Sequence, residues 1–172
     1  MGPDMGRVRH GRKMRGLLRR YGGREIHRHE GTLNHFTGDG MVVFFNDPIP
    51  CPDPAFRAVR LAIEMREAVA SLARSWAGRG HQVGFGVGIA QGYATLGQIG
   101  FEGRVNYTAI GTVTNIAARL CAEAKDGQIL VTQRVAAAIG GTAALELLGD
   151  IPLKGLSRPV TVLNVSGLAP SR

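Results

Sequence analysis

"NHFTGDGMVVFFNDP", residues 34–48, sets a single acid, Asp39, between Gly38 and Gly40, with a β-branched and aromatic run behind it. Asp-Gly between two extended segments is a strong hairpin signal, because both residues tolerate a positive φ. The spacing alone allows two readings. Asp39 is either a plain turn residue or a carboxylate displayed at a strand end to hold a metal ion. Residues 32–37 and 41–46 then form the two arms of the hairpin.

Downstream of the hairpin, "NDPIPCPDP" is a Pro-rich loop. Asp53 stands at the N-cap of a long helix with Pro54 at its first position. Phe56, Val59, Ile63, Val69, Leu72 and Trp76 recur at three-to-four spacing, so one face is buried, and Gly78 and Gly80 end the helix. In "QVGFGVGIAQGYATLGQIG" the apolar Val83, Phe85, Val87 and Ile89 alternate with Gly84, Gly86 and Gly88. That is a strand with one apolar face and one face of bare backbone, which implies close approach by another element or a ligand. The glycines lie inside a strand, so they are not a dinucleotide fingerprint.

"GRVNYTAIGTVTNIAARLCAEA" follows. Residues 107–110 form a short strand, Gly111 turns it, Thr112 can cap, and residues 113–124 make a helix with Ile116, Leu120 and Ala124 inward. Asn115 and Arg119, four apart, share one face of that helix. An amide and a guanidinium placed there can hold a phosphate or a developing negative charge, or can form an ordinary solvated face. "GQILVTQ" gives another strand, residues 133–139 a short helix, and 145–148 a strand. "LKGLSRPVTVLNV" places Lys154 in a turn before a last strand at 160–165. The pattern is α+β with a hairpin-rich, antiparallel sheet.

The chain is long enough for one domain with a real core, at 172 residues, 44% hydrophobic and 20% charged. No apolar run reaches the roughly 18 residues of a membrane span, and no secretory h-region is present. Cys51 and Cys121 show neither CxxC nor disulfide spacing and read as thiols of a cytoplasmic protein. Residues 1–30 hold nine Lys/Arg against three Asp/Glu, and the other 142 hold twelve against ten, so the net charge of +8 is mostly N-terminal. Such a basic arm suits nucleic acid, an anionic membrane surface or a solvated helix face. Leu17, Leu18 and Tyr21 suggest a short amphipathic helix within residues 16–30, interrupted at Gly22-Gly23. The arm has no aromatic interleaving and no nucleic-acid motif, so a nucleic-acid partner is not expected.

Taken in order, "GTLNHFTGDGMVVFFNDP", "GFGVGIAQGYATLGQIG", "NYTAIGTVTNIAARL", "DGQILVTQ" and "LKGLSRPV" resemble the catalytic domain of class III nucleotidyl cyclases, the adenylate and guanylate cyclases. The resemblance spans residues 14–166, with residues 1–13 as a basic segment and 167–172 as a tail. The diguanylate cyclases would need a Gly-Gly-Asp/Glu-Glu-Phe turn, which this chain lacks. The resemblance implies a ferredoxin-like βαββαβ fold and formation of cyclic AMP and pyrophosphate from ATP at a homodimer interface, in intracellular signal transduction. It implies two Mg²⁺ or Mn²⁺ ions as cofactors, with Asp39 as a metal ligand. It implies that Asn115 orients the ribose, Arg119 stabilises charge at the α-phosphate, and Lys154 contacts the terminal phosphates. Thr108 falls where adenylate cyclases read the adenine amino group, and His35 falls where they usually carry Lys. Guanylate cyclases use Glu and Cys at these two positions, so Thr108 favours ATP.

The family's first metal aspartate lies in a Phe-x-Asp-x-x-Gly-Phe-Thr stretch on the opening strand, and no such stretch precedes Asp39. "GPDMGR" is not strand-like, so Asp4 is not expected to substitute, and the first strand is expected to be missing. Three functions follow as expectations: an adenylate cyclase domain whose upstream stretch restores that strand; an inactive cyclase-like module that pairs with a complete cyclase partner; and, least favoured, a basic nucleic-acid-binding protein.

Overall fold

The computed structural model describes residues 4–9, 22–37, 40–77, 84–101 and 104–170. Strand β1 is Asp4–Arg9, helix α1 Gly23–Arg28, β2 Gly31–Thr37 and β3 Gly40–Phe45. Helix α2, Pro54–Ala77, leads to β4, Gly86–Gln91. Then come β5 Thr95–Phe101, β6 Arg104–Ile110, α3 Thr112–Glu123, β7 Ile129–Thr132, α4 Gln133–Ile139, β8 Ala143–Ile151 and β9 Val160–Leu168. Among the described residues, seven strands form one sheet in the order β2-β3-β1-β4-β7-β9-β8, and β5 and β6 pair in a separate two-stranded ribbon. Within the large sheet the β4–β7 pair is parallel and the others are antiparallel.

The α+β class and the β2–β3 hairpin stand as the sequence implied, with a register shift between Leu33 and His35. The missing first strand is a correction. Residues 4–9 form β1 between β3 and β4, running from Asp4 opposite Phe45 to Arg9 opposite Gly40. "DMGRVR" has no strand periodicity, but the slot offers backbone partners on both sides, and two complete ladders outweigh weak local propensity. β1 thus precedes residue 13, and β9 runs to Leu168. Helix α1 starts at Gly23, and the part of the 16–30 helix before residue 22 lies outside the described residues.

Every residue of β3 is buried, because both faces of the sheet are covered. Met41, Val43 and Phe45 join Val59, Ile63 and Val69 of α2 and Val135 and Ile139 of α4 in the main core. Val42 and Phe44, on the other face, join Val113 and Ala117 of α3. Phe56 and Leu72 are half-buried; the Trp76 side chain, Gly78, Gly80 and Val83 lie outside the described residues. Asp53 takes a φ of +48° and spends its carboxylate on Arg57 Nε at 3.1 Å, while its carbonyl accepts the Arg57 N–H.

The bare face of β4 is filled by a neighbouring element. A Cβ on Gly88 would lie 2.3 Å from Cys121 N and 2.4 Å from Ala117 O, and one on Gly86 would lie 3.0 Å from Ala124 Cβ. The glycines therefore let α3 settle onto the sheet at backbone distance. Val113, Ala117, Leu120 and Cys121 form its buried stripe, with Ile116 and Ala124 half-buried. Gly111, not Thr112, is the N-cap of α3, and Thr114 Oγ1 donates to the Gly111 carbonyl at 2.7 Å.

Candidate active site

Helix α3 carries the two residues with most chemistry. The buried stripe points at β1 and β4, so Asn115 and Arg119 fall on the opposite side, one turn apart, and both are exposed. Nothing packed on that side of α3 neutralises the guanidinium among the described ion pairs. Lys154 is exposed in the turn between β8 and β9. Its neighbour Leu153 is buried in one cluster with Leu120, the neighbour of Arg119. The β8–β9 turn is thus anchored to α3, and two cations sit on adjoining segments at the protein surface.

Thr108 is half-buried on β6, opposite Gly97 of β5. Ala109 and Leu96 pack the ribbon onto Val42, Phe44 and α3. Alternation along the strand turns Thr108 away from that contact, to the same face as the exposed Ile110. His35 is exposed on β2, in register with Val42. Asp39 lies outside the described residues; the strand ends on either side, Thr37 and Gly40, pair with each other. The candidate residues among those described thus lie on four segments, β2, β6, α3 and the β8–β9 turn.

The family model for the adenylate and guanylate cyclase catalytic domain matches residues 13–165. The chain belongs to that family. An uncharacterized protein of Mycobacterium tuberculosis is 35% identical over 160 residues, which cover 86% of this chain and 27% of the relative. Adenylate cyclase 1 of Rhizobium meliloti is 29% identical over 143 residues, covering 81% of this chain and 22% of its own length. The chain thus spans about a quarter of the length of these curated relatives. The crystal structure of the adenylyl cyclase CyaB from P. aeruginosa matches with a TM-score of 0.86 at 28% identity, over 99% of this chain and 94% of that one.

Cyclase domains of this family generally use Mg²⁺ or Mn²⁺, and two ions need more than one carboxylate. Strand β1 does not supply the second. Its residue opposite Gly40, at the Asp39 end, is Arg9. Its single acid, Asp4, is five residues further along, roughly 16 Å away at about 3.3 Å per residue. Asp47, at the far end of β3, accepts a hydrogen bond from Tyr107. Among the described residues of β1 and β3, none therefore places a second carboxylate at the Asp39 end for a two-ion set.

One other group of donors was not expected from the sequence. Glu25, His29 and Glu64 bring three ligand-type atoms within 4.8 Å of one another. His29 Nε2 lies 2.9 Å from Glu64 Oε2, Arg28 lies 3.1 Å from Glu25 and 3.6 Å from Glu64, and Arg60 lies 3.6 Å from Glu64. Two guanidiniums already balance the two carboxylates, so the group reads as an ion-pair network tying α1 to α2. Burial works against the Glu64 charge, but the His29 hydrogen bond and charge, with Arg28 and Arg60, outweigh it and hold the carboxyl below its usual value.

Proposed function

We propose that this chain is an adenylate cyclase catalytic domain that converts ATP to 3′,5′-cyclic AMP and pyrophosphate in cytoplasmic signalling. The observation that carries the reading is the exposed Asn115–Arg119 pair on α3, with the turn that bears Lys154 packed on the same helix through Leu153 and Leu120. In the reaction the ribose 3′-oxygen bonds to the α-phosphorus, the bond from that phosphorus to the bridging oxygen breaks, and the 3′-hydroxyl proton is lost. Asn115 orients the ribose, Arg119 stabilises charge at the α-phosphate, and Lys154 holds the terminal phosphates. Thr108 and His35 face the base, and Thr108 favours adenine. Asp39 is the carboxylate that this chain offers to a divalent ion.

The exposure of His35, Asn115, Arg119 and Lys154 is what a site completed by a second protomer requires. A homodimer is therefore part of the proposal. Incubation of the protein with Mn²⁺ and either ATP or GTP tests it: cyclic AMP from ATP supports the reading, and cyclic GMP formed in preference overturns the base assignment.

A second reading is favoured by Arg9 standing opposite Gly40. In it the chain is inactive alone and contributes the Asn115, Arg119 and Lys154 surface to a complete cyclase partner. Mixing with a complete cyclase domain disabled at its own asparagine and arginine tests this: activity above that of either protein supports it, and no gain counts against it.

A further inference from the structure

The β5–β6 ribbon carries Thr108 but, among the described residues, shares no ladder with the seven-stranded sheet. A two-stranded ribbon has little stability of its own, so tertiary contacts must set its position. Packing of Leu96 and Ala109 on Val42 and Phe44 is one such contact, and it is apolar and non-directional. The directional contact is a hydrogen bond from the Tyr107 hydroxyl to Asp47 Oδ1. The bond, with burial behind it, lifts the phenol above its ordinary value, so Tyr107 stays a protonated donor. The loop that carries Asp47 is closed beside it: the Asn46 side-chain oxygen accepts the Cys51 N–H at 3.0 Å.

Tyr107 and Ala109 share the face of β6 turned to the large sheet, and Thr108 takes the other. Fixing the Tyr107 hydroxyl therefore fixes the rotation of β6 about its own axis, and with it the direction of the Thr108 hydroxyl. We infer that Asp47 and Tyr107 are positioning residues for base recognition, holding Thr108 at the angle that tells adenine from guanine. The inference rests on Thr108 being the base-reading residue.

Isothermal titration of the dimeric protein with α,β-methylene analogues of ATP and GTP tests it. Tyr107→Phe should weaken the ATP analogue about three- to tenfold, the worth of one hydrogen bond, and leave the GTP analogue within twofold. Asp47→Ala should do the same, and Asp47→Asn, which keeps an acceptor, should preserve the wild-type ratio. If Asp47→Ala does not fold, Tyr107→Phe and Asp47→Asn still decide the matter. Equal weakening of both analogues, or an unmoved ratio in Tyr107→Phe, overturns the positioning role alone. A wild type that binds neither analogue overturns the cyclase reading and the positioning role together.

Discussion

Gly88 lies so close beneath helix α3 that a Cβ on it would stand 2.3 Å from the backbone nitrogen of Cys121. The contact is backbone to backbone, with Leu120 Cβ also within 2.8 Å, so no flexible side chain can yield. It sets the height of the helix that displays Asn115 and Arg119.

Gly88→Ala should therefore cost about 3 kcal/mol of stability, the upper part of the usual range for overpacking a core. Chemical denaturation measures it. The same variant, where folded, should lose cyclase activity because α3 has to rise from the sheet. A loss under about 0.5 kcal/mol would show that the helix is not seated on β4.

Asn115→Ala and Arg119→Ala should behave in the opposite way. Both side chains are exposed and face away from the core, so stability should move by less than about 0.5 kcal/mol. Activity should fall about 100-fold or more in each, as for loss of a group that stabilises transition-state charge. Thermal melts beside initial rates separate the two effects.

The contrast between these glycines and β1 shows what was legible in the sequence. The period-two glycine run announced a close approach, and α3 fills it. β1 was illegible because Met5 and Val8 are the only sizeable apolar residues in "DMGRVR", and the strand exists through the two ladders around it. The candidates Asn115, Arg119 and Lys154 came from a family resemblance, since their local pattern marks only an exposed polar surface. The pairing of Tyr107 with Asp47, 60 positions apart, and of His29 with Glu64, 35 apart, was not, since neither local pattern points to the other.

The His29–Glu64 contact gives a pH signature. The Glu64 carboxyl is held below its ordinary value of 4.5, so the folded state binds its proton less readily than the unfolded state. The stability this contributes is fully present above about pH 5 and is lost as the pH falls through the folded value. Glu64→Gln should flatten that part of the stability–pH curve and cost about 1 kcal/mol at neutral pH, since the amide oxygen can still accept from the buried His29 but the carboxylate charge that strengthens the bond is gone. Urea midpoints between pH 3 and 7 measure both.

Asp39→Ala should abolish cyclase activity, and wild-type rates should be higher with Mn²⁺ than with Mg²⁺, because a single carboxylate compensates divalent charge poorly. Rates in the two metals, for wild type and variant, check this; equal rates or an active variant would refute the ligand role.

The first measurement is cyclic nucleotide formation by the purified protein with Mn²⁺ and ATP, with Asn115→Ala run alongside. Cyclic AMP from the wild type and a drop of about 100-fold in the variant are expected. A folded protein that forms cyclic AMP equally well with and without Asn115 would contradict the cyclase reading, as would one that yields no cyclic nucleotide either alone or with a complete cyclase partner.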